Sequence, residues 1–149
     1  MNERYETFTV LINRISRNVR RIKNKEMADY GLRSSHISCL YYLYTEDNIM
    51  TSADLCERCE EDKATISRSL NYLETNGYLS YRPKNAKRYK SPLLLTEFGF
   101  EAGKKIADRI NSVLDEIQVF LTEEERASFY RSLSTISESL ETLANKNDM

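Results

Sequence analysis

Three groups of residues have chemistry to offer. The first is a compact basic block. Residues 63–95 hold seven cations (Lys63, Arg68, Arg82, Lys84, Lys87, Arg88 and Lys90) against Glu74 alone. The flanks are acidic, with nine Lys/Arg against eleven Asp/Glu before this block and six against eleven after it, within a whole-chain charge of −1. Such a block is the electrostatic footprint of a polyanion site, with a solvated charged face as the plainer alternative. Inside it, Ile66, Leu70 and Leu73 recur at helical spacing and leave Lys63, Ala64, Thr65, Ser67, Arg68, Asn71 and Tyr72 on the remaining arc. An arginine fits guanine O6 and N7, an asparagine fits adenine, and Ala or a Thr methyl can touch thymine methyls. An ordinary surface helix favours Glu and Lys outside. Thr, Ser, Ser and Asn on the outward arc are poor helix formers, which suggests a use beyond solvation.

The second group is Cys56-Glu57-Arg58-Cys59, a pair three apart that suits a redox switch or half a zinc site. Zinc would need two more ligands, and only His36 and Cys39 offer themselves; one buried and one incidental thiol is the alternative. The third group is His36, the single histidine, which caps or packs near a helix start. There is no phosphate-binding loop, nucleophile motif or paired acid-base set, so an enzyme is not expected, and no motif asks for a cofactor. Tyr41, Tyr42, Tyr44 and Phe8 either pack or line a small-ligand pocket.

The elements that must hold these groups follow from period and caps. Phe8, Ile12, Ile15, Val19 and Ile22 form one apolar stripe over residues 5–25, with Arg14, Arg17, Arg21 and Lys25 on another face. Gly31 ends this stretch, and Ser34 or Ser35 can cap a mostly buried helix over 35–45. Thr51 with Asp54 fits a capping box for a short helix to about Cys59. Glu60-Glu61-Asp62 makes a turn, and Asp62 caps the helix that starts at Lys63 and ends before Gly77, where positive φ is wanted. The period then changes. Tyr78–Arg82 and Tyr89–Leu95 read as two strands around a basic tip at Pro83–Lys87, and Pro92 predicts an unpaired or bulged position. Thr96 caps a long helix to about Phe120, which Gly99 and Gly103 weaken in its first turns. Thr122 with Glu125 boxes a final helix. A short capped helix, a tight turn, a polar-faced helix and a hairpin make a helix-turn-helix with a wing. Thr51 and Ser52 would hold the sugar-phosphate backbone. Arg82, Lys84, Asn85, Lys87, Arg88 and Lys90 would reach a neighbouring groove from the wing.

At this point the chain resembles the multiple antibiotic resistance regulator (MarR) family along nearly its whole length. The resemblance rests on Lys63-Ala64-Thr65-Ile66-Ser67-Arg68-Ser69-Leu70, on Leu73-Glu74-Thr75-Asn76-Gly77-Tyr78-Leu79, on Lys87-Arg88, and on Leu95-Thr96-Glu97-Phe98-Gly99. It implies a homodimer interlocked through the first and last helices, with two winged lobes on a pseudo-palindromic double-stranded DNA site. It also implies repression released by a small ligand, a metal or an oxidant. One departure is clear: the family wing carries Asp-x-Arg, and Ala86 stands at the Asp position before Lys87 and Arg88, so Arg88 is looser or Asn85 substitutes.

The residues support the dimer separately. The stripes of the first helix, of Ile106, Ile110, Val113, Ile117 and Phe120, and of Phe129, Leu133, Ile136, Leu140 and Leu143 repeat at alternating four-three spacing. They exceed what one small lobe can bury. Phe8, Ile12, Ile15, Val113, Ile117, Phe129, Leu133, Ile136 and Leu140 are the expected dimerisation residues. With 149 residues, four Gly and two Pro, the expected fold is mainly α with a small β-hairpin wing. It is read as one domain with a winged lobe over about 34–96 and dimerisation helices over about 5–28 and 97–145. No apolar run reaches the roughly 18–20 residues of a bilayer span, the N-terminus lacks a signal-peptide core, and three cysteines suit a reducing compartment. These features point to the cytoplasm. A thiol-redox or metal-responsive regulator on the same scaffold, or a winged-helix protein-interaction module without DNA binding, are the other readings.

Overall fold

The computed structural model describes residues 3–46, 49–81 and 91–147. The wing tip, and with it Arg82, Lys84, Asn85, Lys87, Arg88 and Lys90, lies outside the described residues. The order is α1 (Glu3–Tyr5), a π-helical segment (Glu6–Val10), α2 (Leu11–Glu26), a 3-10 turn (Ala28–Tyr30), α3 (Ser34–Thr45), α4 (Ser52–Cys59) and α5 (Lys63–Thr75). Strands β1 (Leu79–Tyr81) and β2 (Leu93–Leu95) follow, then α6 (Glu97–Gln118) and α7 (Glu123–Asn147). The mainly helical fold with one antiparallel hairpin matches the expectation. Leu79 faces Leu95, Ser80 faces Leu94 and Tyr81 faces Leu93.

Two compact units arise, residues 1–108 and 109–149. In the first, Ile37, Leu40, Leu55, Ile66, Leu70, Leu73 and Ile106 are fully buried. They come from α3, α4, α5 and the start of α6, each presenting its apolar face to the others. Burying such side chains contributes about 1.5–3 kcal/mol each relative to exposure. This core orients the helix-turn-helix, and α6 belongs to it as far as Ala107, which is also buried.

The caps set the helix ends. Thr51 Oγ1 accepts from Asp54 N at 3.3 Å while Asp54 Oδ2 accepts from Thr51 N at 2.8 Å, the reciprocal box expected from the sequence. Thr96 Oγ1 accepts from Gly99 N at 3.0 Å and donates to Gly77 O at 2.6 Å, so one hydroxyl starts α6 and ties it to the end of α5. The start of α3 differs from expectation. Its N-cap is Arg33, not a serine, and His36 Nδ1 accepts from Arg33 N at 3.0 Å. The serines are used otherwise: Ser34 is already the first helical residue, and the Ser35 hydroxyl bonds that of Ser69 at 2.7 Å.

Gly99 and Gly103 do more than weaken α6. A Cβ at Gly99 would stand 1.8 Å from the carbonyl oxygen of Tyr78, and one at Gly103 would stand 2.6 Å from Tyr44 Cβ. Helix α6 therefore enters the lobe with its backbone pressed against Tyr78, just before β1, and against α3, an approach open only to residues without a side chain.

In the second unit, Thr122 Oγ1 accepts from Glu125 N at 3.1 Å and Glu125 Oε2 accepts from Thr122 N at 2.9 Å, the expected capping box of α7. Arg126 donates to Gln118 Oε1 at 2.6 Å, joining the two sides of the turn. Its apolar stripe is largely uncovered: Ile117, Phe129, Ile136 and Leu140 stand between 38 and 52 % exposed, while Val113 and Leu133 are half-buried.

Candidate nucleic-acid interface

Helix α5 is built to turn one face inward and hold the other out. Asp62 Oδ1 accepts from Thr65 N at 2.7 Å, so the first turn starts on a side-chain cap. That bond, reinforced by the Thr65 hydroxyl and the nearby Arg68 charge, holds the Asp62 carboxyl below the usual carboxylate range. Gly77 then ends the helix at φ 81°, a left-handed position that glycine enters without a Cβ penalty. Asn76 Nδ2 donates to Tyr72 O at 2.8 Å and helps close the last turn.

Ile66, Leu70 and Leu73 are buried, as their spacing requires. Opposite them Lys63, Ala64, Ser67, Arg68 and Asn71 are exposed, and Thr65 is half-buried. Arg68 Nη2 donates to Thr65 Oγ1 at 3.3 Å, which lays the guanidinium along the first turn. These residues therefore share one outward arc and present a cation, hydroxyls, an amide and a methyl to the same side. That combination suits the edges of base pairs in a major groove.

Three residues depart from the sequence reading. Ser69, one of the two serines that made the arc seem polar, is buried against Ser35; it stitches α5 to α3 and offers nothing outside. Tyr72 is half-buried. Its hydroxyl donates to Gly31 O at 3.1 Å and its ring stacks on His36, with centroids 4.3 Å apart and planes at 14°. It braces α5 against the segment before α3. Ser52, expected to meet the sugar-phosphate backbone, is only 6 % exposed. The Thr51 hydroxyl is engaged with Asp54. What this end of α4 offers an anion is the general property of a helix start, main-chain N–H groups without intrahelical acceptors.

The support behind the arc includes contacts that the sequence did not signal. Arg58 pairs with Glu46 and lies 5.9 Å from the centre of the Tyr42 ring, fastening α4 to the end of α3. Glu60, at the end of α4, adopts φ 53°, a left-handed conformation without glycine; it makes the sharp turn into Asp62 and α5. Leu93 N donates to Met50 O at 2.9 Å, so the wing's second strand is also anchored to the segment leading into α4. Pro92 stands just before this strand, outside the paired residues.

His36 both caps and packs, as expected. Burial, and then the Arg33 charge, lower its pKa below 6.5. The aromatic set divides: Tyr41 meets Tyr42 edge-on at 5.3 Å, whereas Tyr44 meets Phe100 at 5.1 Å and Phe8 is exposed. Cys39 is buried and Cys56 and Cys59 are half-buried, and none of the three is in a disulfide. Among the described residues no three or more His, Cys, Asp or Glu side chains converge to hold a metal ion.

Comparison with known proteins agrees with this geometry. The MarR family model matches residues 30–88, the segment from the end of the 3-10 turn through the helix-turn-helix into the wing. A curated relative, the uncharacterized HTH-type transcriptional regulator YwoH of Bacillus subtilis, is 31% identical over 86 residues. The match covers 58% of this chain and 62% of the relative, less than two thirds of its length. Among solved structures, MepR of S. aureus in complex with DNA superposes with a TM-score of 0.79 at 19% identity, covering 89% of this chain and 97% of that one. MarR of Staphylococcus aureus in complex with salicylate and kanamycin superposes with a TM-score of 0.80 at 14% identity, covering 95% and 92%. At these identities the likeness is one of fold.

Proposed function

We propose that this chain, whose residues 30–88 match the MarR family model, is a sequence-specific double-stranded DNA-binding transcription regulator. It works as a cytoplasmic homodimer, and as a repressor released by a small ligand. The observation that carries this reading is the outward arc of α5: Lys63, Ala64, Ser67, Arg68 and Asn71 are exposed together on a helix whose opposite face is fully buried. The DNA complex of MepR supports the partner, since it shows this fold seated on DNA in a structural neighbour. The complex of MarR with salicylate and kanamycin supports a small molecule as a partner. The uncovered stripes on α2 and on residues 109–149 support the dimer, because stripes of this spacing bury themselves against a partner helix. A two-fold pair would place its recognition helices about 34 Å apart, one turn of DNA. No described helix is long and apolar enough to cross a membrane.

The test is fluorescence anisotropy of the purified protein on DNA upstream of its own gene and on a scrambled duplex, at several salt concentrations. Tight binding to the first duplex alone, weakening steeply with salt, is the expected result. Absence of binding to either duplex at low salt would overturn the reading in favour of a protein-interaction module.

A further inference from the structure

We propose that His36 and Tyr72 are positioning residues for the recognition helix: together they form a clamp that fixes how α5 meets base pairs, and acid opens it. This role rests on the DNA-binding reading and names a control within it. Tyr72 lies on the flank of the outward arc, one turn after Arg68, and is half-buried. Its ring stacks on His36 with centroids 4.3 Å apart, and its hydroxyl donates to Gly31 O at 3.1 Å. Gly31 presents that carbonyl from a left-handed turn at φ 71°, and a Cβ there would stand 3.1 Å from the same hydroxyl. His36 is itself fixed, since its Nδ1 accepts from Arg33 N at 3.0 Å in the first turn of α3. One turn earlier on α5, the Ser69 hydroxyl meets that of Ser35 at 2.7 Å, so the start of α3 holds this flank at two levels.

Base edges demand more of a helix than phosphates do. Paired hydrogen bonds from Arg68 or Asn71 to a base need their backbone held to within about 0.5 Å. The attraction of cations to phosphates is independent of sequence and changes slowly with distance. A clamp that stops α5 from rocking therefore raises the preference for the right duplex and leaves general affinity for DNA much as it was.

One proton controls the clamp. With Nδ1 accepting, the His36 ring is neutral and carries its hydrogen on Nε2. An imidazolium has donors at both nitrogens, so protonation sets a second N–H against that of Arg33. It also puts a cation in the first turn of α3, where the helix dipole disfavours it. The groups around the ring come from four elements. At the start of α3 the Arg33 charge opposes the proton. From α5 the neutral Tyr72 ring faces it, and the turn before α3 supplies the uncharged main chain of Gly31. Arg20 of α2 and Glu61 of the turn before α5 border the groove beside Arg33 and Ser35. Stacking on a tyrosine face favours a cation, yet burial and Arg33 prevail and the His36 pKa lies below 6.5. The closed clamp is therefore fully favoured above about pH 6.5 and loses that advantage as pH falls through the lowered value.

The test measures the full chain on the upstream and scrambled duplexes between about pH 7.5 and 5.5, where histidine is the side chain that ordinarily titrates. His36 is the only histidine, so NMR of its ring follows that titration directly. In the wild type the preference for the upstream duplex should fall with pH, with its midpoint at the His36 pKa read by NMR. In His36→Gln, whose amide keeps the capping acceptor without the charge, the preference should not change with pH. Tyr72→Phe keeps the stack and loses the Gly31 bond; at neutral pH it should lower the preference about two- to tenfold, the worth of one hydrogen bond, with scrambled-duplex binding unchanged. The double variant should lose less than the sum of the two single losses, because the residues act as one unit. Overhauser contacts between the His36 and Tyr72 rings, read without DNA, should be present at neutral pH and weaken in acid. Their absence at neutral pH, a wild-type preference indifferent to pH, a Tyr72→Phe preference equal to wild type, or strictly additive losses, which would make Tyr72 a separate DNA contact, would each overturn the clamp. Failure of the wild type to bind either duplex at neutral pH would instead sink the DNA-binding reading, and the positioning role with it, even with the ring contacts in place.

Discussion

The helix-turn-helix lobe and the ends of the chain solve the same problem in opposite ways. In the lobe, α3, α4 and α5 close on each other. Leucines 40, 55, 70 and 73 are fully buried, and even a polar pair such as Ser35 and Ser69 meets inside. Along α2 and over residues 109–149 the apolar stripes are equally regular yet stand open, with Ile15 at 55 % and Ile117 at 52 % exposed. Equal periodicity with unequal burial separates two kinds of helix: one completed by its own chain, and one that awaits another surface.

That contrast is most severely tested by charge. Ile136→Asp combined with Leu140→Asp should convert a dimer to a monomer in sedimentation analysis, because a carboxylate is not tolerated in an apolar seam. The same pair on a merely solvated face would leave the mass unchanged, and the distinction between the two regions would collapse. Within the lobe, Leu70→Ala should cost about 2–5 kcal/mol in urea unfolding, since a fully buried leucine leaves a cavity. A loss below about 0.5 kcal/mol, typical of surface positions, would mean that the lobe core is not closed.

Smaller effects sharpen the picture at the interface itself. Arg68→Ala should weaken binding to the specific duplex by about 1–3 kcal/mol and relax base preference, with little change in folding stability. Arg88→Ala should weaken specific and scrambled duplexes alike and reduce the salt slope by about one. The smallest effect concerns pH. The native pKa of His36 lies below 6.5, so the folded state favours the neutral ring that accepts the Arg33 N–H. Its contribution is complete above about 6.5 and declines as pH falls through the lowered native value. Thermal melts between pH 7 and 5 should therefore show a decline that is reduced in His36→Asn.

The element order was legible because it rests on local rules. Thr51 with Asp54, Asp62, Gly77, Thr96 and Thr122 with Glu125 each mark an end by a bond that spans three or four residues, and each is found in place. The inward face of α5 was legible because Ile66, Leu70 and Leu73 repeat at the helical period. What could not be read depends on residues far apart in the chain. Nothing local to Ser69 shows that Ser35 waits opposite, and nothing near Tyr72 shows that Gly31 and His36 will hold it. Gly99 and Gly103 were read as local weak points of α6, since a propensity scale contains no neighbours. Their real requirement is the carbonyl of Tyr78 and the side chain of Tyr44.

Those two glycines have an implication for how this protein can change. Over a saturating library, the outer face of α6 should accept almost any good helix former, yet positions 99 and 103 should each return a single letter. A designer seeking to stiffen this helix by the usual replacement of glycine with alanine would find the two obvious targets closed. The tolerant and intolerant positions alternate within one turn of the same helix, so the path open to drift here is set by the neighbour the backbone touches and not by helix propensity.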